Sequence, residues 1–237
     1  VQEASSMFLD RVIKEYVKDA VIALDLCAAP GGKSTLIRSA LPEGSLLFAN
    51  EYVKNRSQIL AENIIKWGNS DIIVTNNSPA DYSQFNNLFE FILTDVPCSG
   101  EGMFRKDEMA ISEWSIDNVL NCQQRQREIL KDIWSTLKED GILVYSTCTY
   151  NREENEDNVK WISEELGAKV ISVPISEDWK ITGSLTDEEL PVYRFLPHKT
   201  KGEGLFMAVL KKSCRNESEE NGHSYLDEKR DKKNKKS

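Results

Sequence analysis

Val21-Ile22-Ala23-Leu24-Asp25-Leu26-Cys27-Ala28-Ala29-Pro30-Gly31-Gly32-Lys33-Ser34-Thr35 is the stretch on which the architecture turns. An apolar, strand-like run passes through a turn of small residues straight into the start of a helical pattern. Glycines at such a turn let a ligand approach the backbone, and a helix N-terminus offers free N–H groups. The stretch therefore predicts a cofactor cradle at the carboxyl end of a strand. It is not a phosphate-binding P-loop: Gly32-Lys33-Ser34 matches the end of that motif, but its required first glycine falls at Cys27. No G-x-G-x-x-G dinucleotide fingerprint is present either.

Outward from the cradle, apolar and β-branched runs recur at Val21 to Cys27, Ser45 to Asn50, Asp71 to Thr75, Phe89 to Asp95, Ile142 to Ser146, Lys169 to Val173 and Leu205 to Leu210. Helical patterns fall between them at Ser34 to Ala40, Val53 to Trp67, Ile116 to Leu137 and Glu153 to Leu166. This alternation predicts an α/β fold, a doubly wound and mostly parallel seven-stranded sheet covered on both faces. Phe8, Val12, Ile13 and Val17 form an apolar stripe over Ser5 to Lys18 that should cover the sheet. Ile59, Leu60, Asn63, Ile64 and Trp67 form a second stripe, expected to face the core, with Gly68 as its stop.

Glu51 ends the second strand roughly 20 residues beyond the cradle, where a doubly wound sheet places the carboxylate that accepts ribose hydroxyls. Asp81, just past the third strand, is placed to meet an adenine edge. Two thiols complete the pattern: Cys98 in Asp95-Val96-Pro97-Cys98-Ser99-Gly100 and Cys148 in Ser146-Thr147-Cys148-Thr149 each follow a strand-like run. Loops at strand carboxyl ends converge on the ligand site, so the two sulfurs are expected to meet there. Spacing does not decide which of them is a nucleophile.

The chain has 237 residues and a formal net charge of -9, which argues against a broadly basic nucleic-acid surface while allowing a local groove. Five cysteines without Cys-x-x-Cys spacing predict reduced thiols and no zinc or other metal site. With no long apolar run and no signal-peptide plan, a cytoplasmic location and no membrane contact are expected. A first residue Val1 rather than Met reads as a fragment with neighbouring domains missing. Residues 1–212 are expected to form the folded domain, and 213–237, ending Lys232-Lys233-Asn234-Lys235-Lys236, a disordered tail or linker.

Asp25 to Thr35, Asp95 to Gly102 and Ser146 to Thr149 together resemble the Sun-type RNA cytosine-5 methyltransferase family, with the nearest likeness to the bacterial RsmF type acting on small-subunit ribosomal RNA. Gln2 to Met7, the acidic run Glu153-Glu154-Asn155-Glu156, Pro197-His198 and Gly202 to Phe206 also look like that family. The likeness covers Gln2 to about Lys212. Arg152 stands where many members have proline, a change in a loop residue rather than a chemical group.

The resemblance implies a Rossmann-like class I methyltransferase with an antiparallel last strand and S-adenosyl-L-methionine as cofactor. It assigns Cys27, Ala28, Ala29, Pro30, Gly31, Gly32, Lys33, Glu51, Asp81 and Asp95 to the cofactor pocket. Cys148 is implied as the nucleophile and Cys98 as the partner that helps release the adduct. Asp95, if protonated, would hold ring nitrogen 3, and Lys33 would lower a thiol pKa or orient the base. RNA, with small-subunit ribosomal RNA first, is the implied partner, bound by a monomer whose affinity depends on domains outside this chain. A transfer-RNA substrate, a non-catalytic RNA-binding module and a P-loop hydrolase are the competing readings. Cys27, Cys122 and Cys214 receive no catalytic role, Cys122 being expected to pack in a helix core. His198 reads as structural. Arg105, Lys106, Arg125 and Arg127 fit an RNA path or a solvated face equally.

Overall fold

The computed structural model describes residues 3–186 and 189–213. The expected tail beyond Ser213, Cys214 included, and Gln2 of the opening motif lie outside them. Eight strands form one sheet: β1 (Ile22–Asp25), β2 (Leu46–Asn50), β3 (Ile72–Thr75), β4 (Phe89–Asp95), β5 (Leu137–Thr147), β6 (Ala168–Ile171), β7 (Val192–Phe195) and β8 (Leu205–Lys212). The helices are α1 (Phe8–Tyr16), α2 (Gly32–Ala40), α3 (Lys54–Trp67), α4 (Glu108–Glu113), α5 (Ile116–Trp134) and α6 (Glu156–Leu166).

The strand order is β3-β2-β1-β4-β5-β8-β6, with β7 also paired to β8. β1 to β5 are parallel neighbours, and β8 runs antiparallel to β5, β6 and β7. The Rossmann-like, doubly wound arrangement with an antiparallel last strand is thus present. The seven expected strands become eight because Val192–Phe195 also pairs. β8 divides its outer edge between two short strands, giving residues 205–208 to β7 and 209–212 to β6.

Alternation along the strands sorts the core into two layers. Ala23, Leu47, Phe91, Leu93, Val144, Met207 and Val209 pack under α1 and α2, joined by the whole Phe8, Val12, Ile13, Val17 stripe. Leu24, Ile92, Leu143, Tyr145, Phe206, Ala208 and Leu210 face α5 and α6 through Leu130, Ile133, Val159 and Ile162. The α3 stripe is narrower than expected. Leu60 and Ile64 are buried against Ala28 and Ala49, whereas Ile59 and Trp67 are 51% and 39% exposed. A 14-residue helix at the sheet's end meets the core along one narrow line only.

The helix expected over Ile116 to Leu137 stops at Trp134, and β5 begins at Leu137. Between the pairs Phe89↔Leu137 and Phe91↔Ile142 the fifth strand bulges out Lys138-Glu139-Asp140-Gly141, with Asp140 at φ 62°. These polar residues resemble a turn in the sequence because they leave the ladder. No helix among the described residues is long and apolar enough to cross a membrane.

Candidate functional site

β1 lies between β2 and β4, so the chain reverses direction across the sheet at the carboxyl ends of β1 and β4. Ligands bind at such a switch point in open α/β sheets. The cradle loop leaves β1 there, and the Asp95 and Cys98 loop leaves β4. Cys148 follows β5, the next strand over.

The cradle is gripped from α3. Asn63 Nδ2 donates to Pro30 O at 2.8 Å, and Arg56 Nη2 to Ala29 O at 3.1 Å. Gly31 adopts φ +110°, and a Cβ there would come within 3.1 Å of Leu60 Cδ1. Asn50 ties the β1, β2 and β3 ends together, donating to Leu26 O and Asn77 O and accepting from Thr75 Oγ1. Above it, Glu51 accepts from Val53 N–H through Oε1. Its buried Oε2 has no hydrogen-bond partner, although Arg56 Nη2 stands 3.4 Å away in ion-pair range.

Asp25, wholly buried, accepts from Ser34 Oγ at 2.7 Å and leaves Oδ1 without a partner. Burial, with Asp95 and Glu51 nearby, pushes its pKa up to about 7, against the lowering effect of the Ser34 bond and Lys33. Cys27, lodged in the same loop, is pushed far above an ordinary thiol by burial and by Asp25. Two orphaned carboxylate oxygens, at the ends of β1 and β2, fit a ligand that brings hydroxyl or amino donors. Asp81 is exposed, and its Oδ2 accepts from Ser78 N–H in a capping box.

The thiols meet as expected, with Cys98 Sγ 3.1 Å from Cys148 Sγ and Cys148 N–H donating to Cys98 Sγ at 3.3 Å. Beside them, Lys33 Nζ pairs with Asp95 Oδ2 at 2.8 Å, and Ser146 Oγ donates to Asp95 Oδ1 at 2.8 Å. Burial opposes the Lys33 ammonium, yet the Asp95 carboxylate, with Asp25 and Glu3 behind it, outweighs burial and raises its pKa. The thiols are pushed apart. The Cys98 S–H bond to Cys148 lowers the latter's pKa and raises that of Cys98, and burial raises Cys98 further.

Two carboxylates not singled out in the sequence hold the thiol loops together. Glu101 Oε2 accepts from Thr149 Oγ1, Tyr150 N–H and Asn151 N–H at 2.8, 2.6 and 2.9 Å. Glu154, wholly buried, accepts from Ser99 N–H, Gln126 Nε2 and Asn151 Nδ2. Gly102 N–H donates to Cys148 O at 2.8 Å, and a Cβ on Gly102 would lie 2.7 Å from that oxygen. Signals existed in the Ser99-Gly100-Glu101-Gly102 and Glu153-Glu154-Asn155 runs, but only the fold shows what each carboxylate touches.

Arg127 donates to Asn158 Oδ1 and its guanidinium lies over the Trp161 ring, packing α5 against α6. Arg125 and His198 are exposed, and Lys106 pairs with Glu203 at 3.6 Å. Cys122 is buried on α5 as expected.

Residues 13–211 match the family described as 16S rRNA methyltransferase RsmB/F. The chain belongs to the RsmB/F family. Within it, ribosomal RNA small subunit methyltransferase F of Aliivibrio fischeri (strain MJ11) is 33% identical over 216 residues, 90% of this chain and 45% of that protein. The same-named protein of Shewanella sp. (strain MR-7) is 33% identical over 214 residues, 90% and 44% of the two chains. This RsmB/F chain therefore spans just under half the length of the curated relatives it matches. Among solved structures, NSun6 from Pyrococcus horikoshii with SFG is 30% identical, covers 90% of this chain and 53% of its own, and superposes with a TM-score of 0.76. A methyltransferase homolog from Pyrococcus horikoshii is 27% identical over 89% of this chain and 67% of its own, TM-score 0.73.

Proposed function

We propose that this chain transfers a methyl group from S-adenosyl-L-methionine to carbon 5 of a cytidine in RNA, with small-subunit ribosomal RNA as the substrate, through a covalent cysteine adduct. The observation that carries the reading is the pair of sulfurs 3.1 Å apart, one with a lowered pKa, beside the Lys33–Asp95 ion pair at the switch point. Support for the cofactor comes from the Gly31 cradle, the orphaned oxygens of Asp25 and Glu51, and the likeness to NSun6, a structure containing SFG, an analogue of S-adenosylmethionine. Cys27 to Lys33 and Glu51 hold the cofactor, with Asp81 at the adenine edge and Asp95 closing the side toward the substrate. The cofactor supplies an electrophilic methyl group.

The chain's own task is to make carbon 5 nucleophilic. The Cys148 thiolate adds to carbon 6, and the ring becomes an enamine with electron density at carbon 5. If Asp95 is protonated in the complex, its carboxyl lends its proton to ring nitrogen 3 and stabilises the adduct, and the proton returns to it when the thiol is eliminated. Lys33 Nζ, 2.8 Å from Asp95 Oδ2, orients the base. Once carbon 5 is methylated, a base removes its proton, the carbon 5–carbon 6 double bond re-forms, and Cys148 leaves as a thiolate that accepts the Cys98 S–H. The base must be presented edge-on to both sulfurs, so the target nucleotide is unpaired or flipped out.

Incubation with labelled cofactor and ribosomal RNA tests this reading. The wild-type protein transfers label, Cys148→Ala abolishes transfer, and Cys98→Ala accumulates a denaturant-resistant protein–RNA adduct. Full turnover by Cys148→Ala overturns the nucleophile assignment, and RNA binding that survives replacement of both cysteines without any transfer by the intact protein identifies a binding module instead.

A further inference from the structure

We infer that Glu154 is a positioning residue that sets the polarity of the thiol pair, keeping the shared proton on Cys98 so that Cys148 carries the negative charge. The inference rests on the thiolate mechanism above, but its test requires neither RNA nor cofactor.

Glu154 is wholly buried, and its three partners are neutral donors: Ser99 N–H at 3.1 Å, Gln126 Nε2 at 2.7 Å and Asn151 Nδ2 at 2.8 Å. Hydrogen bonds solvate the carboxylate without neutralising it, so its field reaches its neighbours through a medium of low dielectric. Cys98 is the neighbour. Glu154 grips the residue after it directly, and the residue before it through Gln126, which donates to Pro97 O at 2.9 Å as well.

The other sulfur stands beside an ion pair. Cys148 faces both members of the Lys33–Asp95 ion pair, 2.8 Å apart: the ammonium favours a thiolate, the carboxylate opposes it somewhat more, and what lowers the Cys148 pKa is chiefly the hydrogen bond from Cys98. Glu101 grips Thr149, Tyr150 and Asn151 on the Cys148 side, but it is only half-buried, so solvent screens its field more than that of the wholly buried Glu154. Tyr145 beside Cys98, Tyr150 beside Cys148, and Cys122, which also feels Glu154, are further titratable neighbours. One contact opposes the inferred polarity: Cys148 N–H donates to Cys98 Sγ at 3.3 Å. It is a single bond from a neutral donor, set against a buried carboxylate. Two adjacent thiols of equal acidity would share the charge and leave Cys98 partly unable to donate to the departing sulfur. A buried carboxylate without a counter-ion on one side and an ion pair on the other remove that degeneracy.

Iodoacetamide alkylation followed by peptide mass mapping, run across pH, reads the polarity directly. In the wild-type protein Cys148 is alkylated ahead of Cys98 by at least about tenfold, the effect of one pKa unit. Glu154→Gln moves that ratio toward equality by on the order of tenfold, and Glu154→Asp, which keeps the charge, retains the preference. An unchanged ratio in Glu154→Gln overturns the inference. Should that variant fail to fold, Cys148→Ala leaves Cys98 alone with Glu154: its alkylation must titrate above free cysteine, and titration at or below it overturns the inference equally. Loss of methyl transfer by the wild-type protein overturns the proposed function alone, because the alkylation pattern does not depend on it.

Discussion

Asp25 carries the largest conflict between burial and charge in the cradle, and its consequence is a pH dependence with a definite sign. Its pKa is about 7 folded against an ordinary 3.8, so the folded protein holds a proton there that the unfolded chain releases. Stability from this group is full below about pH 4 and declines as pH rises to about 7, by roughly 4 kcal/mol at 1.36 kcal/mol per unit. Asp25→Asn keeps an acceptor for Ser34 Oγ and removes the titration. Thermal unfolding followed from pH 4 to 8 is expected to lose that part of its slope in the variant, and an identical slope would refute the assignment. Such a conflict is invisible in Leu24-Asp25-Leu26, where an acid between leucines reads equally as a strand end. Asp95 and Cys148, by contrast, were legible because each closes an apolar run, and a strand's end is a position a local pattern can give. What each then touches depends on chain segments roughly 50 residues away, and no local pattern holds that information.

At the scale of elements, α3 acts as a clamp on the cradle. Its Asn63 and Arg56 donate to two successive carbonyls, Pro30 O and Ala29 O, and hold the loop in the shape that the positive φ of Gly31 begins. Asn63→Ala removes one such bond, worth about 1 kcal/mol net. Titration calorimetry with S-adenosyl-L-methionine is expected to show several-fold weaker binding, while the unfolding temperature stays nearly constant because Leu60 and Ile64 still anchor the helix. A large loss of stability with unchanged affinity would contradict the clamp. Asn63 was read from the sequence as one member of an apolar stripe, since helical spacing puts it between Leu60 and Ile64. Spacing specifies a face of the helix. It does not say that this face meets a loop at one end and solvent at the other, which is why Ile59 and Trp67 are exposed.

At the scale of the whole molecule, Arg194 joins three distant parts. From β7 its guanidinium pairs with Glu156 at the start of α6, donates to Tyr150 O beside Cys148, and lies over the Phe206 ring of β8. Both ends of the ion pair are buried, so Arg194→Met leaves Glu156 charged and unpaired at a cost of about 3–5 kcal/mol. Differential scanning calorimetry is expected to show a fall in unfolding temperature on the order of 10 °C, and a change within a degree or two would show that the pair carries no such role. β7 was absent from the sequence reading because an arginine in a four-residue run looks like a solvent-facing break. The fold reverses that by placing Glu156 where the charge is needed. The sequence alone determined the layered α/β order, the cradle and the strand ends at which Asp95, Cys98 and Cys148 stand, because hydrophobic period and turn chemistry are local properties of a chain. Only the tertiary structure decided how the acids and thiols divide their protons and which side chains bind the two cysteine loops into one site. Those properties follow from burial and from contacts between segments far apart in sequence, and they exist only once the sheet has closed.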